Sequence, residues 1–197
     1  FVIPHKGRDY FLLQTIESII QQDYDLSLFE IIVVTQNEKL SDEISFLDKK
    51  INLSIFHQPE TKTISYLRNF GVRKSHGDYL AFLDADIALS TNWAECMLQT
   101  LKDDKARVIV SGSQVNSKDP TPLERIRTAL STAQMDTMVD FLPGCNIFIS
   151  KEVFNEVGGF PENLISCEDY YFSDQASALG ILYRTSKATY VHLGEDR

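Results

Sequence analysis

Two carboxylates one residue apart, Asp84 and Asp86, follow directly on an apolar and aromatic run in the stretch DYLAFLDADIALS. Tyr79 to Leu83 carries no polar alternation, the pattern of an inner strand in a sheet covered by helices on both faces. Such a strand ends at the rim of the sheet, and in open α/β sheets ligands bind at the rim formed by the carboxyl ends of the strands. If the chain turns there, the two side chains converge on one cation, whose charge offsets their mutual repulsion. A lone Asp-x-Asp after a strand is more simply a pair of turn formers, so the rest of the chain must decide.

The elements that would position these carboxylates alternate regularly. FVIPHKGR reads as a strand ending in a Pro/Gly loop. DYFLLQTIESIIQQ follows as a helix, with Leu12, Leu13, Ile16, Ile19 and Ile20 at helical spacing and Asp9 as its N-cap. FEIIVVTQ is a second strand, a helical segment is expected near Glu43 to Lys49, and NLSIFHQ is a third strand. SYLRNFGVRKSHG reads as a helix stopped at Gly77, which delivers the chain to the Asp84 strand. This alternation over about ninety residues implies a mostly parallel sheet with right-handed crossovers and helices on both faces.

Beyond Asp86 the spacing predicts a helix in TNWAECMLQTLKDD, capped by Thr91, and a strand in ARVIVSGSQV. Residues 116–141 are polar and punctuated by Pro120 and Pro122, with a helical stretch LERIRTALSTAQ inside them. The last third reads as strand CNIFISK, helix EVFNEVG, turn GGFPE, helix CEDYYFSDQASALG and closing strands in YRTSKATYVHL. Gly158 and Gly159 mark a turn that needs positive φ or a close backbone approach.

With 197 residues and 43% hydrophobic content, the chain can bury one core and reads as a single domain. A net charge of −9 argues against nucleic acid as a partner and means that an anionic ligand needs a metal or local donors. Cys96, Cys145 and Cys167 are far apart and in no metal-binding spacing, so a reducing compartment and simple packing of Cys145 are expected. No apolar run approaches the roughly 20 residues of a membrane span. The expected location is cytoplasmic, or peripheral at a membrane.

Four patterns occur in one order: SYLRNFG (65–71), FLDAD (82–86), GCNIFISKEVFNEVGGF (144–160) and CEDYYF (167–172). Together they resemble the family 2 glycosyltransferases of GT-A fold, over almost the whole chain. The resemblance implies a single α/β domain over 1–197, with a Rossmann-like, mostly parallel central sheet and a smaller acceptor-side subregion. Residues 1–112 would form the nucleotide-sugar-binding half and 113–197 the acceptor and catalytic half.

The resemblance also implies roles. Asp86, with Asp84 near the ion or the ribose, would hold Mn²⁺ or Mg²⁺, which neutralises charge on a leaving diphosphate. His192 would be a further metal ligand, although a lone histidine on a strand is as readily structural. Arg68 and Asn69 would help hold the donor, with Pro4 on the same side; otherwise they are an ordinary helix face. Glu168 and Asp169 stand where the family places its base, with Asp169 taking the proton of an acceptor hydroxyl in a single inverting displacement. An acidic pair at a helix N-terminus also arises simply from the helix dipole. The implied reaction moves a sugar from a UDP- or GDP-sugar to a carbohydrate or lipid-linked acceptor, in the synthesis of a surface polysaccharide or glycoconjugate.

Two departures stand out. Relatives usually end the second strand with acidic residues, whereas this chain has VVTQN, leaving Thr35, Gln36 or Asn37 to meet the nucleotide. Gln175 stands where relatives often carry arginine. Three other readings compete. A phosphatase-like hydrolase has its Asp-x-Asp on the first strand, continuing to Thr or Val where this chain has Ala88. A nucleotidyltransferase would want a Gly-rich basic loop, of which PHKGRD is a faint version. A catalytically silent nucleotide- or sugar-binding module is compatible with the two departures.

Overall fold

The computed structural model describes residues 1–47 and 51–194. Its first half is a strict alternation: β1 (Val2–His5), α1 (Asp9–Ile20), β2 (Ile31–Thr35), α2 (Asp42–Leu47), β3 (Leu53–His57), α3 (Ile64–Lys74) and β4 (Tyr79–Leu83). The short β5 (Ile87–Leu89) then leads into α4 (Trp93–Asp103), β6 (Arg107–Val115), α5 (Pro122–Ser131) and β7 (Thr137–Met138). The chain closes with β8 (Asn146–Ser150), α6 (Lys151–Val157), α7 (Glu168–Ser177) and β9 (Ile181–His192).

The sheet order is β3-β2-β1-β4-β8-β6-β9-β5, with β7 paired to β9. β1, β2, β3, β4, β6 and β9 run one way, while β8, β5 and β7 run against them. This is the mostly parallel α/β sheet that the alternation predicts, and one rim gathers the carboxyl ends of β1, β2, β4, β6 and β9. The reversed β8 begins at that rim, because Asn146 pairs with Leu83.

The unbroken apolar character of β4 has a direct cause. Ala81 and Leu83 join one core with Leu12, Ile16 and Ile19 of α1 and Trp93 and Met97 of α4. Leu80 and Phe82 point the other way, into a core with Val72, Phe154, Phe160 and Phe172. Successive strand residues alternate faces, so a strand buried on both sides must be apolar throughout.

Several local expectations are corrected. Asp9 is the first helical residue rather than the cap, and its carboxylate accepts from Ser41 N (2.6 Å) and Asn37 Nδ2 (2.9 Å). Thr91 does not cap α4: its hydroxyl donates to Asp23 Oδ2 (2.6 Å), while Gln22 Oε1 accepts from Ala94 N (2.8 Å). α3 stops at an extended Ser75, two residues before Gly77. The closing strands are one, β9, whose register against β6 shifts between Ser111 and Ser113. The helix expected near Glu43 to Lys49 is present through Leu47, and residues 48–49 lie outside the described residues. Gly158 and Gly159 do adopt positive φ, 89° and 81°, where a side chain would be strained.

Candidate active site at the carboxyl rim of the sheet

The turn between β4 and β5 carries Asp84 and Asp86. Asp84 N donates to Cys145 O (3.2 Å), and Ile87, which pairs with His192, donates its N–H to Thr15 Oγ1 (3.1 Å). These ties bring Asp84, Asp86 and His192 together, with one ligand atom from each lying within 4.8 Å of the others. His192 Nε2 is 3.7 Å from Asp86 Oδ1, and His192 Nδ1 is buried without a hydrogen-bond partner. Burial, above all, pushes the Asp86 carboxyl above its ordinary pKa; the charge of Asp84 adds to this, while His192 and Arg8 oppose it. Two carboxylates and an imidazole, partly withdrawn from water, form a hard oxygen and nitrogen donor set that fits Mn²⁺ or Mg²⁺.

Arg8 is a member of this cluster that sequence reasoning missed. It is exposed, and its charge acts on Asp86. Leu193 N donates to Asp86 O (2.7 Å), and a Cβ at Gly194 would overlap Asp86 Oδ2 and come within 3.0 Å of Arg8 Nη2. The available signal was its place in the loop after β1, which the parallel topology puts on the rim.

Arg68, expected to touch the donor, lies instead beneath the rim as a link between its two acidic centres. The residue is 1% exposed. Its Nη2 donates to Asp84 Oδ1 (3.0 Å) and its Nη1 to Glu168 Oε1 (2.9 Å), and the guanidinium lies over the Phe160 ring. Gly144 packs against the guanidinium so closely that a Cβ there would stand 2.8 Å from Nη2. A buried cation is tolerable only when paired in this way. Gly144→Ala is therefore expected to cost about 1–3 kcal/mol as an overpacked site. Arg68→Met, which strands two carboxylates, should cost more, about 3–5 kcal/mol. Denaturant unfolding measures both, and an alanine variant as stable as the parent would mean that the guanidinium has room to move.

Glu168 is thus buried and ion-paired. Its neighbour Asp169 is half-buried, and Asp169 Oδ2 accepts from Gly144 N (3.0 Å) while Oδ1 accepts from Tyr170 N (2.9 Å). Each carboxylate oxygen keeps a spare lone pair. Cys167, in the left-handed conformation with φ 60°, starts α7 and supplies no side-chain cap.

The remaining candidates are engaged elsewhere. Asn69 clamps the glycine turn: its Nδ2 donates to Phe160 O (2.8 Å) and Glu162 Oε1 (3.0 Å), and its Oδ1 accepts from Phe160 N (2.9 Å). Thr35 is fully buried against His5 Nδ1 (2.9 Å). Gln36 Nε2 donates to the carbonyls of Pro59 and Lys62, and Asn37 bonds both the N–H and the carbonyl of Gly7. Pro4 is buried in β1 beside Val34, and Gln175 is exposed and donates to Asp174. Cys145 packs inside, its thiol pushed up to about 12 mainly by burial, which makes it inert as a nucleophile. An apolar cleft lined by Phe1, Tyr24, Phe29, Tyr79, Trp93 and Phe148 sits at the amino ends of β1 and β4, and none of the candidate residues touches it.

The sequence model of glycosyl transferase family 2 matches residues 1–158. The chain belongs to this family. Among the relatives of this glycosyltransferase-family chain, the glycosyltransferase AglE of Haloferax volcanii is 27% identical over 188 residues, covering 91% of this chain and 61% of AglE. The S. aureus TarS 1–349 structure in complex with UDP superposes with a TM-score of 0.77 at 16% identity, covering 96% of this chain and 58% of that one. The mannosyltransferase PcManGT of Pyrobaculum calidifontis, in complex with GDP-Man and Mn²⁺, gives a TM-score of 0.76 at 17% identity, covering 99% and 56%. The glycosyltransferase-family chain therefore has the GT-A fold, and it spans less than two thirds of the length of each of these proteins.

Proposed function

We propose that the rim site transfers a sugar from a nucleotide diphosphate sugar to an acceptor hydroxyl, with inversion at the anomeric carbon. The observation that carries this reading is the pairing of two acidic centres across one buried arginine: Asp84 with Asp86 and His192 on one side, Glu168 with Asp169 on the other. Family membership and neighbours solved with UDP or with GDP-Man and Mn²⁺ support a uridine or guanosine diphosphate donor. Asp86, Asp84 and His192 would hold a divalent ion. When bound, that ion supplies positive charge to the leaving diphosphate.

The chain's own residues do the rest. Arg8, exposed and close enough to Asp86 for its charge to act there, would add a positive charge beside the diphosphate. Asp169 accepts the proton of the acceptor hydroxyl as it attacks from the face opposite the leaving group, so no covalent enzyme intermediate is required. Arg68 fixes Glu168 and, through Gly144, the loop whose N–H orients Asp169. The acceptor is a carbohydrate or a lipid-linked molecule, and the product serves surface polysaccharide or glycoconjugate synthesis.

The test is acceptor-free hydrolysis of UDP- and GDP-sugars, with and without Mn²⁺. Metal-stimulated release of the nucleoside diphosphate is expected. No release from any donor under either condition would return the chain to the class of silent binding modules.

A further inference from the structure

A groove of about 380 Å³ lies beside α7, between that helix and the strand pair β7 and β9. This is within the roughly 300–1,000 Å³ of small-molecule sites. One wall is a stripe of α7: Tyr170, Asp174 and Ser177 follow at spacings of four and three residues, which puts them on one face. The other wall brings Met138 and Asp140. Tyr170 is 62% exposed and Met138 67%. Asp174 Oδ2 accepts from Gln175 Nε2 (3.1 Å), and the carboxylate has capacity for further donors. No Lys, Arg or His is among the residues that line the groove. One end of it meets the candidate base. Tyr170 follows Asp169, and its N–H donates to Asp169 Oδ1 (2.9 Å). Phe141 lies against the Tyr170 ring, with centroids 6.0 Å apart, in the loop whose Gly144 N donates to Asp169 Oδ2 (3.0 Å). From there α7 leads toward Gly180 and Ile181, at the start of β9, so the groove runs away from the base along the helix.

We propose that this groove holds the acceptor and that the acceptor is a neutral saccharide chain, with its reacting hydroxyl at Asp169 and its next ring on Tyr170. The inference rests on the reading of Asp169 as the base. A sugar ring has an apolar C–H face and a rim of hydroxyls. The flat, exposed tyrosine ring suits the face, and the carboxylates of Asp140 and Asp174 accept from the hydroxyls. Two carboxylates with no cation among the lining residues repel a phosphate or any other anion at the same place. A lysine-rich segment would also satisfy them, but it offers the base no hydroxyl. From Tyr170 to Ser177 the helix rises about 10 Å, which is longer than one pyranose ring. The groove therefore takes a chain of two or more rings rather than a lone monosaccharide.

Ligand-observed NMR titration of the intact protein tests it, with maltose, cellobiose, lactose and mannobiose as probes and methyl glucoside as the one-ring comparison. At least one disaccharide is expected to bind, and to bind more tightly than the one-ring glycoside. Tyr170→Ala should weaken that binding about twofold to tenfold, the worth of one aromatic contact, while Tyr170→Phe, which keeps the ring, should stay within about twofold of the parent. Asp174→Asn should weaken it roughly twofold to fivefold. Both side chains are exposed, so circular dichroism of the variants should match the parent. No disaccharide binding by the parent overturns the proposal, as does equal binding by parent and Tyr170→Ala, or an equal loss in Tyr170→Phe and Tyr170→Ala. Octyl glucoside below its micelle concentration, set beside methyl glucoside, separates the sources of the sugar. Equal affinity supports a free saccharide, and tighter binding that falls in Tyr170→Ala supports a lipid-linked one. Tighter binding indifferent to Tyr170 would mean that the alkyl chain alone is held, against the proposal. Salt-sensitive binding of trilysine without any saccharide binding would assign the groove to a basic partner instead. Saccharide binding that depends on Tyr170, with no nucleoside diphosphate released from any donor, would count against the transferase reading alone.

Discussion

Asp86→Ala is expected to remove metal-dependent binding of UDP or GDP, lowering affinity by more than about a hundredfold. Altering even the outer partners of a metal's ligands costs roughly 10- to 100-fold, and the proposed function makes Asp86 a direct ligand. Asp86 is a cleaner probe than Asp84. Asp84 also pairs with Arg68, so its loss would disturb Glu168 through the shared cation. The Asp86 side chain faces His192, Asp84 and Arg8, and the hydrogen bond that ties down Leu193 uses the Asp86 main-chain carbonyl, which alanine retains. The melting temperature should therefore hold while binding disappears. Titration calorimetry with UDP and GDP, with and without Mn²⁺, reads the effect. Unchanged affinity in both conditions would take the Asp84, Asp86 and His192 cluster out of donor binding.

The part of this site that sequence reveals is the part set by local pattern. The apolar run of Tyr79 to Leu83 places Asp84 at the end of an inner strand, and the strand and helix alternation places that end on the rim. What sequence hides are the partners brought in from far along the chain. Arg68 and Glu168 are 100 residues apart, so nothing near SYLRNFG indicates that its arginine is buried between two carboxylates rather than open to a donor. Asn69 likewise spends its amide on Phe160, 91 residues away. The caps failed for the same reason: Asp9 and Thr91 have the right local chemistry, but Ser41 and Asn37 claim the first and Asp23 claims the second. The reversed direction of β8 is equally silent, because a strand buried on both faces reads the same whichever way it runs.

That asymmetry decides how Asp169 should be tested. Asp169→Asn keeps the size of the side chain, and its one amide oxygen can still accept from Gly144 N, while the N–H of the exposed Tyr170 turns to water. The basicity is lost at the cost of one local hydrogen bond, so transfer should fall by the roughly 10² to 10⁴ that a general base contributes, with donor binding nearly intact and little change in stability. Glu168→Gln should behave in the opposite way. It takes a charge from the partner of a buried arginine, so it should lower stability more than Asp169→Asn does. If Glu168 acts only through Arg68, the folded variant should still turn over. The pair thus predicts a crossing pattern, in which one variant loses rate and keeps its melting temperature while the other does the reverse. Melting temperature, donor affinity and transfer rate, measured together on both proteins, show which pattern holds. An Asp169→Asn protein that melts lower yet transfers sugar at the parent rate would make Asp169 a helix-terminal anchor for Gly144 and nothing more. A Glu168→Gln protein that stays folded and is inactive, beside an active Asp169→Asn protein, would move the base to Glu168 and require Arg68 to release it during the reaction.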